Sequence, residues 1–150
     1  AAVAAVPAEL AARANELKER GNVLLKKRKY RAAVRKYGRA IELQPRTALF
    51  YANRSEAYLR MGRYRLAIAD ANESLRLGLA NCKPWYRKGM ASLRLGDFDD
   101  AVASFRIGRD LPGTSAAQRA ELEKWLKRAT AERDIDNEKR KAASAAALTD

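Results

Sequence analysis

Apolar residues in the first part of the chain recur at intervals of three and four, the period of a helix with one face to bury. Leu17, Leu24, Leu25, Val34, Tyr37 and Ile41 follow this period, and the basic run Lys26-Lys27-Arg28-Lys29 divides them into two segments. That two-helix pattern then repeats. Gly21, Ser55 and Gly89 are spaced by 34 residues, as are Ala33, Ala67 and Ala101, then Tyr30, Tyr64 and Phe98, then Leu17, Tyr51 and Trp85. Small residues at matching places on both helices predict close backbone approach, because a larger side chain would hold the pair apart. Tyr30, Tyr64 and Phe98 are expected to fill the space beside them. Gly62 and Gly96 mark turns inside a pair, Pro45 and Pro112-Gly113 close the first and third units, and Gly78 is expected to close the second. Three departures stand out: Ala71 where the other units have Tyr37 and Phe105, Ser55 where they have glycine, and no proline after the second unit.

A helix-turn-helix unit returning every 34 residues resembles the tetratricopeptide repeat family. The resemblance covers about residues 14 to 113 and implies an all-α fold, a right-handed superhelix of three repeats plus a C-terminal capping helix. Thr114 or Ser115 can N-cap that last helix, and Leu122, Trp125, Leu126 and Ala129 fall at i, i+3, i+4 and i+7 to cover the final repeat. The expected organisation is a loose N-terminus at 1–11 and repeats within 12–113, at about 14–47, 48–81 and 82–113. A capping helix at 114–140, fraying beyond Ile135, and a disordered tail at 141–150 complete it.

Composition removes much chemistry. A 150-residue chain that is 47% hydrophobic can bury a core, but it holds one cysteine, Cys82, and no histidine. An intramolecular disulfide is therefore impossible and a zinc site built from Cys and His lacks its ligand set. Residues 1–6 are small and apolar but too few for a secretory core or a membrane span, so the expected location is the cytoplasm, with the nucleus open as well. Asn53-Arg-Ser and Asn72-Glu-Ser fall inside expected helices and read as ordinary helix residues rather than glycosylation signals. With no phosphate loop and no nucleophile elbow, we expect no enzyme and no cofactor. Asp97, Asp99 and Asp100 follow Gly96 at the start of a helix, where acids are favoured by the macrodipole. They lack the further oxygen ligands of a calcium loop.

Charge brings the partner into view. Lys and Arg number 31 against 18 Asp and Glu, a formal net charge of +13, so an anionic partner is expected. The aromatic residues mostly hold repeat-core positions instead of interleaving with the cations, which leaves nucleic acid or another acidic protein partner as the second reading. A sharper pattern lies on the first helices of the repeats, which line the concave groove of such a stack. Lys18 and Asn22 are four apart, Asn53 lies on the second of these helices, and Arg87 follows Asn53 by 34 residues with Lys83 one turn earlier. Two cations at i, i+4 repel, so Lys83 and Arg87 invite an anion. Asparagine is an indifferent helix former with no packing reason to sit there.

Lys-x-x-x-Asn at 18–22, the Asn of Tyr51-Ala52-Asn53, and Lys-x-x-x-Arg at 83–87 resemble the carboxylate clamp of chaperone-binding tetratricopeptide domains. That resemblance implies a groove for the C-terminal Glu-Glu-Val-Asp peptide of heat shock protein 90 or heat shock protein 70. A terminal aspartate carries two carboxylates, which three cations can neutralise while two asparagines donate directional hydrogen bonds. Leu25, Arg60 and Arg94, further along the same faces, are expected to touch upstream peptide side chains. Glu56 sits one turn after Asn53 and either braces Arg60 or Arg87 or opposes the ligand. Domains of this kind are parts of larger chains, and the expectation here is the same.

Overall fold

The computed structural model describes residues 7–149, and among these are seven helices and no strand. They are α1 (Ala8–Lys26), α2 (Tyr30–Leu43), α3 (Ala48–Arg60), α4 (Tyr64–Arg76), α5 (Cys82–Leu95), α6 (Phe98–Asp110) and α7 (Ala116–Thr149). Each helix packs on the next. The first helices of the repeats also touch one another, α1 on α3 and α3 on α5, whereas no contact joins α2 to α4 or α4 to α6 among the described residues. One side of the stack is thus a continuous surface built by α1, α3 and α5, with α7 closing it at the end of α5.

Close approach inside each repeat is enforced by shape. Ala33, Ala67 and Ala101 are wholly buried. A Cβ on Gly21 would lie 2.6 Å from the Tyr37 ring, and one on Gly89 would lie 2.5 Å from the Phe105 ring. The rings that meet the glycines are therefore Tyr37 and Phe105, while Tyr30, Tyr64 and Phe98 begin α2, α4 and α6 and are half-buried. In the second repeat the two departures turn out to be one exchange. Ala71 stands where the other repeats have the ring, Ser55 where they have the glycine, both are buried, and the Ser55 hydroxyl donates to the Ala67 carbonyl at 2.7 Å. The serine is buried with its polar atom satisfied.

The middle repeat carries a second polar element. Arg54 on α3 donates from Nε and Nη2 to the two carboxylate oxygens of Asp70 on α4, at 2.7 and 2.9 Å. Asp70 is 6% exposed, and the guanidinium also lies over the rings of Tyr51 and Tyr58, 5.8 and 5.6 Å from their centroids. Bidentate geometry and two aromatic faces offset the cost of taking this pair out of water.

Turns follow backbone chemistry. Gly62 and Gly96 have φ of +73° and +80°, in the left-handed region, and Gly78 has +96°. Position 28, which stands 34 residues before Gly62, holds Arg28 at φ +61°, the only non-glycine with positive φ among the described residues. Ser115 caps α7 reciprocally with Gln118: Ser115 Oγ accepts from the Gln118 amide at 3.1 Å, and Gln118 Oε1 accepts from the Ser115 amide at 2.9 Å. Leu122, Leu126 and Ala129 then bury against Ala101, Val102 and Phe105, with Trp125 partly covered.

Two expected boundaries shift. The first helix starts at Ala8, inside the segment expected to be loose, and residues 1–6 of that segment lie outside the described residues. Likewise α7 neither frays at Ile135 nor stops at 140, but runs 34 residues to Thr149; only residue 150 of the expected disordered tail is undescribed. Its distal part has little to bury, yet alanine is the strongest helix former and ion pairs of helical spacing support the stretch before it. Arg140 bonds Asp136 at 2.8 Å and Lys141 bonds Glu138 at 3.3 Å.

The packing ranks two substitutions at equivalent positions. Gly89→Ala must push a buried ring aside and is expected to cost about 1–3 kcal/mol. Ser55→Ala keeps the Cβ already accommodated and forfeits one hydrogen bond, near the lower end of that range at about 1 kcal/mol. Denaturant midpoints of the two variants check the order, and a Gly89→Ala protein as stable as the parent would contradict the close approach.

Candidate functional site

Asn22 on α1 and Asn53 on α3 are joined directly. Asn53 Nδ2 donates to Asn22 Oδ1 at 3.2 Å, and the Tyr37 hydroxyl donates to the same oxygen at 2.6 Å. Both bonds end on one atom, so the amide of Asn22 is oriented, and its Nδ2 group has no partner among the described residues. Asn22 corresponds in the 34-residue register to Glu56 and Met90, and Asn53 to Glu19 and Arg87. The two asparagines are thus neighbours from different registers, brought together because α1 packs on α3.

Arg87 is tied back to α3. Its Nε donates to Glu56 Oε2 at 3.0 Å and its Nη1 to the Ala52 carbonyl at 2.6 Å, leaving Nη2 without a partner among the described residues. The other oxygen of Glu56 accepts from Arg60 Nε at 2.9 Å. Glu56 therefore braces both arginines at once. The Arg87 and Glu56 side chains are 12% and 18% exposed, so this pair is largely withdrawn from solvent. Burial of paired charge holds the guanidinium in place, though with one charge already neutralised.

The remaining cations differ in their surroundings. Lys83 is exposed, makes no ion pair among the described residues, and shares with Arg87 and Glu56 a cavity of about 320 Å³ floored by Cys82, Tyr86 and Leu122. Its backbone amide is held by the N-cap Asn81 at 3.0 Å, and Pro84 takes the third position of α5, where a missing donor does no harm. Lys18 is mostly covered and pairs with its neighbour Glu19 at 3.1 Å. Leu25 and Arg60 border a second cavity of about 270 Å³, again with Glu56. Arg94 is exposed and borders neither cavity. The fold thus brings together Asn22 with Asn53, Lys83 with Arg87, and Leu25 with Arg60, and it leaves Arg94 apart.

Tyr37 joins the candidate site through Asn22, a contact the repeat pattern hid because the Tyr37 ring does the packing work that Phe105 does in the third repeat. The clue was the hydroxyl, present at 37 and absent at 105. Burial pushes its phenol up to about 12, against which the Arg87 charge acts in the opposite direction. The group stays protonated at any physiological pH and remains a hydrogen-bond donor to Asn22.

Comparison with known proteins agrees with this architecture. A TPR repeat model matches residues 21–62 and a tetratricopeptide repeat model matches residues 54–116. The second TPR domain of human RPAP3, solved in complex with the HSP70 peptide SGPTIEEVD, is similar at 31% identity and TM-score 0.69, over 77% of this chain and 97% of that one. The first TPR of Spaghetti (RPAP3), bound to the HSP90 peptide SRMEEVD, is similar at 27% identity and TM-score 0.69, over 77% and 94% of the two chains. A protein SGT1 homolog of Oryza sativa subsp. japonica is 40% identical over 70 residues, 47% of this chain and 19% of the rice protein. The chain belongs to the tetratricopeptide repeat family, whose domains are protein-interaction modules. It spans about a fifth of the length of that curated relative.

Titration of Tyr37 gives a stability signature. Its folded pKa lies above the unfolded value of 10, so the contribution is intact below pH 10 and is lost as pH rises toward 12. Burial also raises Tyr51 and Tyr86, so the slope is shared. We expect the parent to lose on the order of 2 kcal/mol through Tyr37 across that window, and Tyr37→Phe to show a shallower alkaline fall in melting temperature. Identical alkaline slopes in the two proteins would remove Tyr37 from the account.

Proposed function

We propose that this chain is a non-enzymatic adaptor whose α1/α3/α5 surface takes the C-terminal Glu-Glu-Val-Asp peptide of heat shock protein 90 or heat shock protein 70. The observation that carries the reading is the asparagine pair: Asn22 is fixed by Tyr37 and Asn53 with its amide nitrogen unused, on the helix face it shares with Lys18. A terminal aspartate supplies two carboxylates. Lys83 and the open Nη2 of Arg87 suit one, while Lys18 and the amide of Asn22 suit the other. The relatives solved with acidic peptides ending in Glu-Glu-Val-Asp support the same class of ligand. Leu25 and Arg60 would then meet upstream side chains, and Arg94 only a longer peptide. The chain would act as one module of a larger cytoplasmic protein.

Amidating the peptide's C-terminus tests this directly, because it deletes one carboxylate and leaves every side chain intact. By calorimetry the free-acid peptide should bind with one site per chain and the amidated form at least about tenfold more weakly. Equal affinities would overturn the proposal. Lys83→Ala is the cleanest single variant, since that ammonium makes no ion pair or hydrogen bond among the described residues. It should weaken the peptide by about 1.5–3 kcal/mol without lowering the melting temperature, whereas Arg87→Ala should lose both affinity and some stability through its links to Glu56 and Ala52.

A further inference from the structure

Next to the cavity bordered by Leu25, Glu56 and Arg60, with which it shares Arg28 and Tyr30, the turns of the first two repeats form a third concavity, about 590 Å³ in volume, walled by Arg28, Lys29, Arg31, Arg35 and Arg63 with Tyr30, Ala32 and Met61 between them. None of these five cations makes an ion pair among the described residues, although eleven of the other lysines and arginines there do. The sequence holds no acid at all between Glu19 and Glu42.

The repeats supply their own control. Lys29 and Arg63 stand where the third repeat has Asp97, and Arg31 and Arg65 where it has Asp99, each 34 residues apart. Acids suit the positive end of a helix and cations oppose it, so α6 has the favourable arrangement, while α2 and α4 begin on cations with neither an acid nor a side-chain cap in the first turn. A second, independent cost falls at the same place. Arg28 adopts the left-handed backbone that Gly62 and Gly96 adopt without strain at the equivalent turns. Unopposed charge at two helix starts and an arginine held in a left-handed turn meet at one concavity, and a bound anion would neutralise the charge gathered there.

We propose that this concavity is a binding site for a compact group bearing several phosphates, either a free polyphosphorylated molecule or the headgroup of a phosphorylated lipid. Four of its five cations are arginines, whose planar fork matches phosphate oxygens in pairs. The site is an open depression, and the aromatic that lines it, Tyr30, is half-buried at the head of α2, which leaves a poor stacking platform for nucleic-acid bases. Phosphates gathered on one small ring satisfy five converging cations better than phosphates strung along a strand.

Inositol hexakisphosphate is the first probe, titrated by calorimetry at physiological salt against the parent and against Arg31→Gln/Arg63→Gln. Those two residues border only this concavity, and their replacement removes cations from unfavourable helix starts, so the variant should melt no lower than the parent. The expected result is one saturable site in the parent, weakened at least about tenfold in the variant, with binding of the acidic C-terminal peptide unchanged. Vesicles containing phosphatidylinositol bisphosphate distinguish the sources. Binding to them that depends on Arg31 and Arg63 identifies a lipid headgroup, and binding of the soluble probe alone identifies a free polyphosphate. The proposal is overturned by no saturable binding of either probe, by undiminished binding in the variant, by equal recruitment to phosphatidylserine vesicles of matched charge, or by tighter Arg31- and Arg63-dependent binding of a single-stranded RNA.

Discussion

An aromatic ring lying where a single methyl group would otherwise be is the contact on which the rest of this domain depends. Tyr37 against Gly21 and Phe105 against Gly89 set the distance between paired helices, and that distance decides where α1, α3 and α5 stand relative to one another. The same contact builds part of the site. Gly21 admits the Tyr37 ring, and the next residue, Asn22, receives its hydroxyl. Packing and the proposed ligand chemistry are therefore adjacent along one turn of helix. The middle repeat allocates volume the opposite way, with Ser55 in the glycine's place and Ala71 in the ring's. Having no phenol at 71, it has no partner to offer at the residue after Ser55, and Glu56 there is held by arginines instead.

Glu56 makes the groove less cationic than its residue list suggests. A carboxylate between Arg60 and Arg87 holds both guanidinium groups in the free chain, which would lower the ordering cost of the proposed binding. It also neutralises part of the charge that a peptide carboxylate would meet. Preorganisation and attraction are thus traded against each other at one residue, and the unpaired Lys83 carries the attraction that remains.

Periodicity made the fold legible. Equivalent positions 34 residues apart placed the helix pairs, the turns and the close approaches, because all three depend on local volume and backbone conformation. Where period gives out, so did the reading: the distal part of α7 buries almost nothing, and its helicity rests on alanine content and ion pairs that leave no apolar stripe. The candidate site was legible to the level of residue type. Lys18, Asn22, Asn53, Lys83 and Arg87 could be picked out, but the bond between two asparagines from different registers, the part played by Tyr37 and the double hold on Glu56 are cross-helix facts that no single-helix pattern encodes. Arg94 shows the converse, since its register matches Arg60 while the cavities around Glu56 do not extend to it.

Stacks of near-identical units face an ambiguity that globular folds do not: a helix can dock on the wrong neighbour, or on the same unit of another copy, with almost the right shape. Arg54 and Asp70 resolve it. Their counterparts are Arg20 with Lys36 in the first repeat, which repel, and Lys88 with Ser104 in the third, which cannot form a bidentate pair. Only α3 against α4 pairs the buried Asp70 carboxylate with the half-buried Arg54, so a slipped assembly would leave that carboxylate unpaired out of water. The pair therefore works as an address label, telling the middle repeat which helices belong to it while the uncharged small-residue contacts, common to all three, would accept several.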